Sequence, residues 1–348
     1  MRSAAKGLIG LGLLAAGVAV GALVERAVAR RVMGLEEGEP MPVPGIEPPA
    51  QSLEVVTDDG VALHVEIAGR ADPAAPTVIF THGYALSLDS WPHQRAEIAR
   101  VARIVLWDQR GHGRSARGPA GTTIERLGQD LGCVLDAVAP DGPVVLVGHS
   151  MGGMTIMALA AERPELFGAV VRGVALLATS SGGIADVDLG LPWPVARLAH
   201  RVAPSIGTAV VSGGPVATLV DHARRSTSDL GLMITRAYAF GSTVPPEGTR
   251  LVTDLITGTP VDVLADLLTA LEEHDKAEAL DALADVDLLV MVGEADLLTP
   301  PGHSIEIVRR VPHAELVILP EVGHMIALEA ADDVSRRICD LVLRSCPA

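Results

Sequence analysis

Short apolar runs and amphipathic stretches alternate along most of the chain. Four runs are almost entirely hydrophobic and predict buried β-strands: Thr77–Phe80, Ala102–Trp107, Pro143–Val147 and Val170–Leu177. Thr123–Val138 has apolar residues at helical spacing, and a second helix is predicted from about Met151 to Arg163. Strands that are apolar on both sides are typical of a parallel sheet that helices cover on both faces.

Further strands are predicted before and after this region. Ser52–Val56 and Val61–Ala68 predict a hairpin through the turn residues Asp58-Asp59-Gly60. Two strands and a final helix are predicted after a long interval: Val286–Val292, Ala314–Leu319 and about Ala330–Leu343.

The interval, from about residue 180 to residue 280, has no obvious strand and contains helix-like stretches such as Leu251–Leu271. We therefore predict an α/β fold with a mostly parallel, twisted sheet flanked by helices, in one domain over residues 51–348. A mostly helical cap insertion is expected at about residues 180–280, before the last two strands. An insertion at this place is suited to cover an active site at the strand ends.

The amino-terminal residues have a different character. Residues 7–24 contain no charge, and as a helix they would span about 27 Å, close to the hydrocarbon thickness of a bilayer. We therefore expect residues 1–31 to form a hydrophobic segment that associates the protein with a membrane. Basic residues on both sides of the apolar run leave its orientation open. Residues 32–50 are rich in proline and are expected to form an extended linker.

Two other interpretations of the amino-terminal segment compete with an anchor. A secretory signal would be cleaved after Ala27-Val28-Ala29 and the protein secreted, although the arginines beside this site count against cleavage. An amphipathic or core helix is the third interpretation. Gly17 and Gly21 have the GxxxG spacing that lets membrane helices pack closely. That spacing arises easily by chance in a run rich in Gly and Ala, so the sequence predicts no oligomeric state.

Composition narrows the classes of function. The 348 residues are 49% hydrophobic and 20% charged, which is typical of a globular protein. A formal net charge of -16 argues against a nucleic-acid partner, because phosphate binding needs clustered Lys and Arg. The 3 cysteines form no CxxC pair and have no metal-ligand spacing, so they predict neither a disulfide framework nor a metal site.

Gly148-His149-Ser150-Met151-Gly152 is a GxSxG sequence at the junction of a predicted strand and a predicted helix. A serine in such a sharp turn needs small neighbours, because its backbone is strained and a helix packs close by. The turn exposes the hydroxyl at the edge of the sheet, where the helix N-terminus favours negative charge. Gly-rich turns match the same pattern, so its place between a strand and a helix is what predicts Ser150 as a nucleophile.

A serine becomes nucleophilic at neutral pH only beside a base, and the base needs an orienting acid. His324 and Asp296 both lie in loops that follow predicted strands, within Gly323-His324-Met325 and Gly293–Pro300. That placement puts them at the same sheet edge as Ser150. Their order along the chain, serine, then acid, then histidine, is the one expected when a GxSxG serine lies between a strand and a helix. We therefore predict His324 as the general base and Asp296 as the acid that orients it.

Three residues are alternatives at these positions. Glu294 lies two residues before Asp296 and would supply the same carboxylate. His303 begins a predicted helix, and His313 precedes its strand, away from the active edge. A location on the surface or in the core is the expectation for both of these histidines.

The negative oxygen that forms during acyl transfer needs preorganised backbone donors. The N–H of Met151, directly after the nucleophile, is one candidate for this oxyanion hole. The second is expected in the loop after Thr77–Phe80, which contains His82-Gly83-Tyr84, and the N–H of Tyr84 is the candidate there. The alternative for this loop is a glycine that merely ends a strand.

These segments, together with Asp108–Ser115, resemble the α/β-hydrolase superfamily, in the branch with a helical cap before the last two core strands. The resemblance covers about residues 52–346 and implies that Asp108–Ser115 is a structural loop. Haloalkane dehalogenases and epoxide hydrolases of this superfamily use an aspartate nucleophile, whereas position 150 is Ser. Proline iminopeptidases typically have Trp after the serine, whereas this chain has Met151.

The resemblance and the triad together imply a serine hydrolase of the carboxylesterase or lipase type. Its expected substrate is a small-molecule carboxylic ester with a hydrophobic or lipid-like acyl group. Lactonase, C–C bond hydrolase and cofactor-free perhydrolase activities use the same triad and stay open. No metal or organic cofactor is expected, because the triad is self-sufficient. A non-catalytic binding protein of this fold is the alternative from another class, and the complete set of catalytic parts argues against it.

Overall fold

A computed structural model of the chain describes residues 44, 49–72, 74–119, 121–187, 235–242 and 244–347. Eight strands form one sheet within these residues: β1 (Gln51–Val56), β2 (Ala62–Gly69), β3 (Thr77–Thr81), β4 (Arg103–Trp107), β5 (Val144–His149), β6 (Val171–Leu177), β7 (Asp287–Gly293) and β8 (Glu315–Leu319). The order across the sheet is β1-β2-β4-β3-β5-β6-β7-β8.

Most neighbouring strands of this sheet are parallel. β2 runs antiparallel to both β1 and β4, and the remaining pairs run parallel. The β1–β2 hairpin turns at Gly60, whose φ of 82° favours glycine. The carboxyl ends of β3, β5, β6, β7 and β8 therefore meet at one edge. The predicted α/β fold with a mostly parallel sheet is confirmed.

Helices cover both faces of the sheet. Eight α-helices have defined bounds in the described part of the chain: α1 (Pro92–Ile98), α2 (Ile124–Val138), α3 (Met151–Glu162), α4 (Pro246–Gly258), α5 (Val261–Glu272), α6 (Pro301–Arg310), α7 (Ile326–Glu329) and α8 (Ala331–Ser345). α2, α3 and α6 contribute to the core on one face, and α1 and α8 contribute to the core on the other.

The two cores explain why the central strands are apolar along their whole length. In β5, Val144 and Leu146 belong to the core with α2 and α6, whereas Val145 and Val147 belong to the core with α1 and α8. All four side chains are 0% exposed. Because successive side chains of a strand point to opposite faces, a strand covered on both sides is apolar at every position.

The described residues between β6 and β7 contain helices and no strand of the sheet. The helix-like stretch predicted at Leu251–Leu271 is corrected here, because it consists of two helices, α4 and α5, separated at Thr259 and Pro260. Proline has no N–H with which to continue α4, and it disfavours helical backbone in the residue before it. Residues 188–234 of the predicted insertion lie outside the described residues.

The membrane location expected from the sequence is also corrected. Among the residues that the structure describes, no helix combines the length and the apolar character needed to cross a bilayer. Residues 7–24, from which that expectation came, lie outside the described residues, as does most of the predicted linker at residues 32–50.

Candidate active site

Ser150 lies between β5 and α3 in a conformation that few non-glycine residues adopt. Its φ is 52° and its ψ is -120°. The Ser150 N–H donates to the carbonyl of Leu177 at the end of β6 (2.9 Å), and the Thr179 hydroxyl donates to the Ser150 carbonyl (2.7 Å). Backbone strain of this kind persists only where surrounding contacts hold it, and it clusters at functional sites.

Three glycines around Ser150 make this turn possible. A Cβ on Gly148 would lie 2.6 Å from the carbonyl carbon of Gly152, and one on Gly153 would lie 2.6 Å from Thr179 Oγ1. A Cβ on Gly152 would overlap the carbonyl oxygen of Thr81 at the end of β3. Because no side chain intervenes, the first turn of α3 packs directly on the ends of the neighbouring strands, with Ser150 at the edge of the sheet.

Asp296 and His324 meet at the same edge, in the loops after β7 and β8. Asp296 Oδ2 lies 2.9 Å from His324 Nδ1, and the two residues are 2% and 6% exposed. An ionised carboxylate only accepts hydrogen bonds, so Nδ1 carries the proton in this pair. The Nε2 atom of His324 is then the one that can accept a proton.

Three further bonds fix the Asp296 carboxylate. Oδ1 accepts from the N–H groups of Leu298 (2.8 Å) and Thr299 (3.0 Å), and Oδ2 accepts from the Thr299 hydroxyl (2.8 Å). Burial alone would raise the pKa of Asp296, but the charge and hydrogen bond of His324, together with the Thr299 bonds, outweigh burial and lower that pKa. Asp296 is therefore ionised at neutral pH.

His149 joins the serine turn to the loop of His324. Its Nε2–H donates to the carbonyl oxygen of His324 (3.0 Å), and the two rings lie 4.8 Å apart. Burial lowers the pKa of His149 to about 3, with the charge of His324 acting in the same direction, so His149 is neutral. His149 occupies the variable position of GxSxG, and sequence reasoning missed this role because the pattern gives no signal there.

The His82-Gly83-Tyr84 loop runs against the serine turn. A Cβ on Gly83 would lie 2.8 Å from His149 Nδ1 and 3.2 Å from Ser150 Cβ, so only glycine fits between them. The two predicted oxyanion donors, the N–H groups of Tyr84 and Met151, thus belong to segments that flank Ser150. Met151 is the first residue of α3, where an N–H has no acceptor within the helix.

Gln109 connects the two segments that carry these donors. Its side-chain amide donates to the carbonyl of His82 (2.7 Å), and its Oε1 accepts from the hydroxyl of Thr155 in α3 (2.8 Å). Gln109, His82 and Thr155 are all 0% exposed. In the same loop, Asp108 accepts from the N–H groups of Leu88 and Arg114, each at 2.8 Å. The contacts of Asp108 and Gln109 are thus with protein groups that shape the loop.

The three alternative residues make other contacts. Glu294 is exposed and its backbone N–H bonds to Leu319. His313 lies at the far side of the sheet, where its Nε2 donates to the carbonyl of Val286 (2.9 Å). His303 begins α6 on the active edge, with Nδ1 2.8 Å from the hydroxyl of Ser180.

Two apolar clusters that include helices of the predicted insertion contain residues next to the candidate triad. In the first cluster, α5 packs Val263, Leu267 and Leu271 against Met151, with Tyr84 at the margin. In the second, α4 joins a cluster that holds Phe240, Met325 and Leu328. Within the described residues, no three His, Cys, Asp or Glu side chains are grouped so that they could hold a metal ion.

Comparisons with known proteins place the chain in a family. A model described as the alpha/beta hydrolase family matches residues 78–337. The chain is 25% identical, over 75% of its length, to the dihydrolipoyllysine-residue acetyltransferase component of an acetoin cleaving system from Pseudomonas putida, and it covers 62% of that protein. It is 26% identical to a non-heme haloperoxidase of Rhodococcus erythropolis, over 83% of the chain and 98% of the relative. A thermophilic esterase from Thermogutta terrifontis has a similar fold, with a TM-score of 0.66 at 22% identity over 85% of this chain and 99% of that one.

Proposed function

The chain belongs to the α/β-hydrolase family, and we propose that it is a serine hydrolase that cleaves carboxylic esters through an acyl-enzyme on Ser150. The observation that carries the proposal is the buried 2.9 Å bond between Asp296 Oδ2 and His324 Nδ1. This pair lies at the sheet edge where Ser150 is held in a strained turn. A nucleophile, a base and an orienting acid in this arrangement are what acyl transfer requires.

The proposed reaction has two halves. Ser150 Oγ attacks the ester carbonyl carbon while His324 Nε2 takes the hydroxyl proton, and the imidazolium then returns that proton to the leaving alcohol. Water next attacks the acyl-enzyme with His324 again as base, which releases the acid and restores Ser150. The ionised Asp296 holds the proton on Nδ1 in both halves and stabilises the positive imidazolium.

The N–H groups of Met151 and Tyr84 are proposed to bind the negative oxygen of each tetrahedral intermediate. The position of Met151 at the start of α3 supports this role, since a helix N-terminus favours negative charge. The close approach of Gly83 to Ser150 supports the same role for the loop of Tyr84. Losing one oxyanion donor typically lowers kcat by about 10²- to 10³-fold.

An apolar acyl group is the substrate feature that the surroundings favour. The two clusters contributed by α4 and α5 place aliphatic and aromatic side chains next to Met151, Tyr84 and Met325. An acyl group that packs on such side chains would gain about 0.8 kcal/mol for each CH₂ group that is buried. We therefore expect kcat/KM to rise with acyl length, by roughly threefold to fourfold per CH₂ group, until the pocket is full.

The test uses the full chain and p-nitrophenyl esters of increasing acyl length. Ser150→Ala should lower kcat on the order of 10⁴-fold or more, and a fluorophosphonate should label the wild type but not the variant. Ser180→Ala is the matched control, because the Ser180 hydroxyl lies beside His303 Nδ1 on the same sheet edge but is buried in hydrogen bonds to Gly182 and should not react. Equal rates in wild type and Ser150→Ala on every ester would refute the proposal.

Transfer of the acyl group to hydrogen peroxide is a second candidate. The similarity to a non-heme haloperoxidase along 98% of that protein favours it. Peroxide attacking the acyl-enzyme in place of water would release a peracid and regenerate Ser150, and the peracid would then oxidise a halide. Wild type given an ester and peroxide should oxidise iodide faster than Ser150→Ala, and equal rates would remove this candidate.

A further inference from the structure

Hydrogen bonds hold the backbone around His324 at three consecutive residues. The N–H of Gly323 donates to Glu329 Oε2 (2.7 Å), and the carbonyl of His324 accepts from His149 (3.0 Å). The N–H of Met325 donates to the carbonyl of Ala239 (2.8 Å). None of these three partners, Glu329, His149 and Ala239, takes part in the proposed reaction. They fix the backbone of His324, from which the imidazole side chain extends.

Glu329 bridges two segments that are far apart in the chain. While Oε2 accepts from Gly323, Oε1 accepts from the N–H and the hydroxyl of Ser242, both at 2.6 Å. The N–H of Gly241 also faces both oxygens, at 3.1 and 3.2 Å. The N–H groups of three residues and the Ser242 hydroxyl therefore share this one carboxylate, which ties residues 241–242 to the His324 loop.

The two segments touch backbone to backbone. A Cβ on Gly323 would lie 2.8 Å from the Cα of Phe240, and one on Gly241 would lie 2.7 Å from the carbonyl carbon of Val322. Phe240 is 0% exposed and packs with Met325 and Leu328. Residues 239–242, the part of the predicted insertion that precedes α4 and is called the return segment below, therefore lie against the loop without intervening side chains.

We propose that Glu329 is a positioning residue for His324, and that through it the return segment at residues 239–242 sets the place of the general base. This inference rests on the proposed function of His324. Both oxygens of the Glu329 carboxylate accept from Gly323 in the His324 loop or from residues 241–242, so its effect on the reaction passes through the loop. A displacement of a catalytic group by about 1 Å can cost on the order of 10²-fold in rate.

Glu329→Gln is the first test, because it keeps the shape and exchanges one oxygen for an NH₂ group. That group cannot accept from Gly323 or Ser242, so one side of the bridge opens. We expect kcat on p-nitrophenyl esters to fall about 10- to 100-fold with KM changed less than twofold. Glu321→Gln is the matched control, since this exposed residue of the same loop should keep wild-type kcat.

A double-mutant cycle separates positioning from general damage to the fold. If Glu329 acts through His324, Glu329→Gln will not lower the residual rate of a His324→Ala enzyme any further. A similar loss in both backgrounds, or an unchanged kcat in the single variant, would overturn the inference. If Glu329→Gln does not fold, Ser242→Ala replaces it, because that change removes only the bond from the hydroxyl. We expect it to lower kcat severalfold with His324 present and not at all with His324→Ala.

The proposed function is tested separately within the same experiment. Wild type must hydrolyse the ester faster than Ser150→Ala before the effect of Glu329 is read. A wild type that is no faster would refute the esterase proposal. A Ser150-dependent wild type with a fully active Glu329→Gln would refute the positioning role alone.

Discussion

Replacing Asp296 by Asn tests the acid–base pair with the smallest change in shape. The Asn carbonyl can replace Oδ1 and still accept from the N–H groups of Leu298 and Thr299, at 2.8 and 3.0 Å. Its NH₂ group then stands where Oδ2 faces His324 Nδ1 at 2.9 Å. Two N–H groups cannot bond to each other, so the imidazole must move its proton to Nε2.

The size of the expected loss in kcat follows from that tautomer of His324. With the proton on Nε2, His324 has no lone pair facing the serine and cannot act as its base. The corresponding Asp→Asn change in serine proteases lowers kcat by about 10⁴-fold, equivalent to about 5.5 kcal/mol of transition-state stabilisation. The loss of folding stability should be much smaller, about 1–2 kcal/mol, because the two backbone bonds are kept.

The assay is steady-state hydrolysis of one p-nitrophenyl ester, with urea unfolding as the measure of stability. Glu294→Gln is the paired variant, because the exposed Glu294 is the rival acid in the sequence. Asp296→Asn should lose about 10⁴-fold in kcat, and Glu294→Gln should stay within twofold of wild type. A loss below tenfold in Asp296→Asn, or a larger loss in Glu294→Gln, would refute the assignment of the acid.

Two further predictions concern stability. Gly152→Ala should destabilise the fold by several kcal/mol, because its Cβ overlaps the Thr81 carbonyl. Gly302→Ala should change stability by at most about 1 kcal/mol, since nothing lies within 4 Å of its Cβ; equal melting temperatures for the two variants would contradict this. Burial lowers the pKa of His82 to about 4, and of His112 and His149 to about 3. Their neutral forms favour the folded state above the unfolded pKa near 6.5, and that stability is lost as the pH falls toward the folded pKa values, by up to about 4 kcal/mol per pH unit. Urea midpoints that do not fall between pH 7 and pH 5 would contradict this expectation.

Sequence reasoning succeeded where the signal lies within a few neighbouring residues. The continuous apolar runs predicted the central strands because both faces of β3, β4, β5 and β6 are buried. The candidate triad, which stays a prediction, was also chosen from local signals in loops that directly follow strands. Pro260 carried a local signal too, since it divides the stretch predicted at Leu251–Leu271 into two helices.

The hydrogen bonds that hold the candidate site in place could not be predicted in this way, because they join residues far apart in the sequence. The carboxylate of Glu329 meets Ser242, which lies 87 residues away, and His149 meets the carbonyl of His324, 175 residues away. No periodicity or spacing connects such pairs before the chain is folded. Thr299 illustrates the same limit at short range, because its hydroxyl bond to Asp296 depends on how the loop after β7 turns.

These contacts suggest that the predicted insertion positions residues of the candidate site as well as covering it. The Tyr84 hydroxyl donates a hydrogen bond to the carbonyl of Leu264 in α5 (2.7 Å). This bond fixes the loop that carries the proposed oxyanion donor. Residues 239–242 hold the loop of His324 through Glu329. An insertion that only covered the site would affect substrate binding, and hence mainly KM. Because the predicted insertion contacts the segments that carry the proposed base and the proposed oxyanion donor, changes within it should alter kcat even where they do not touch the substrate.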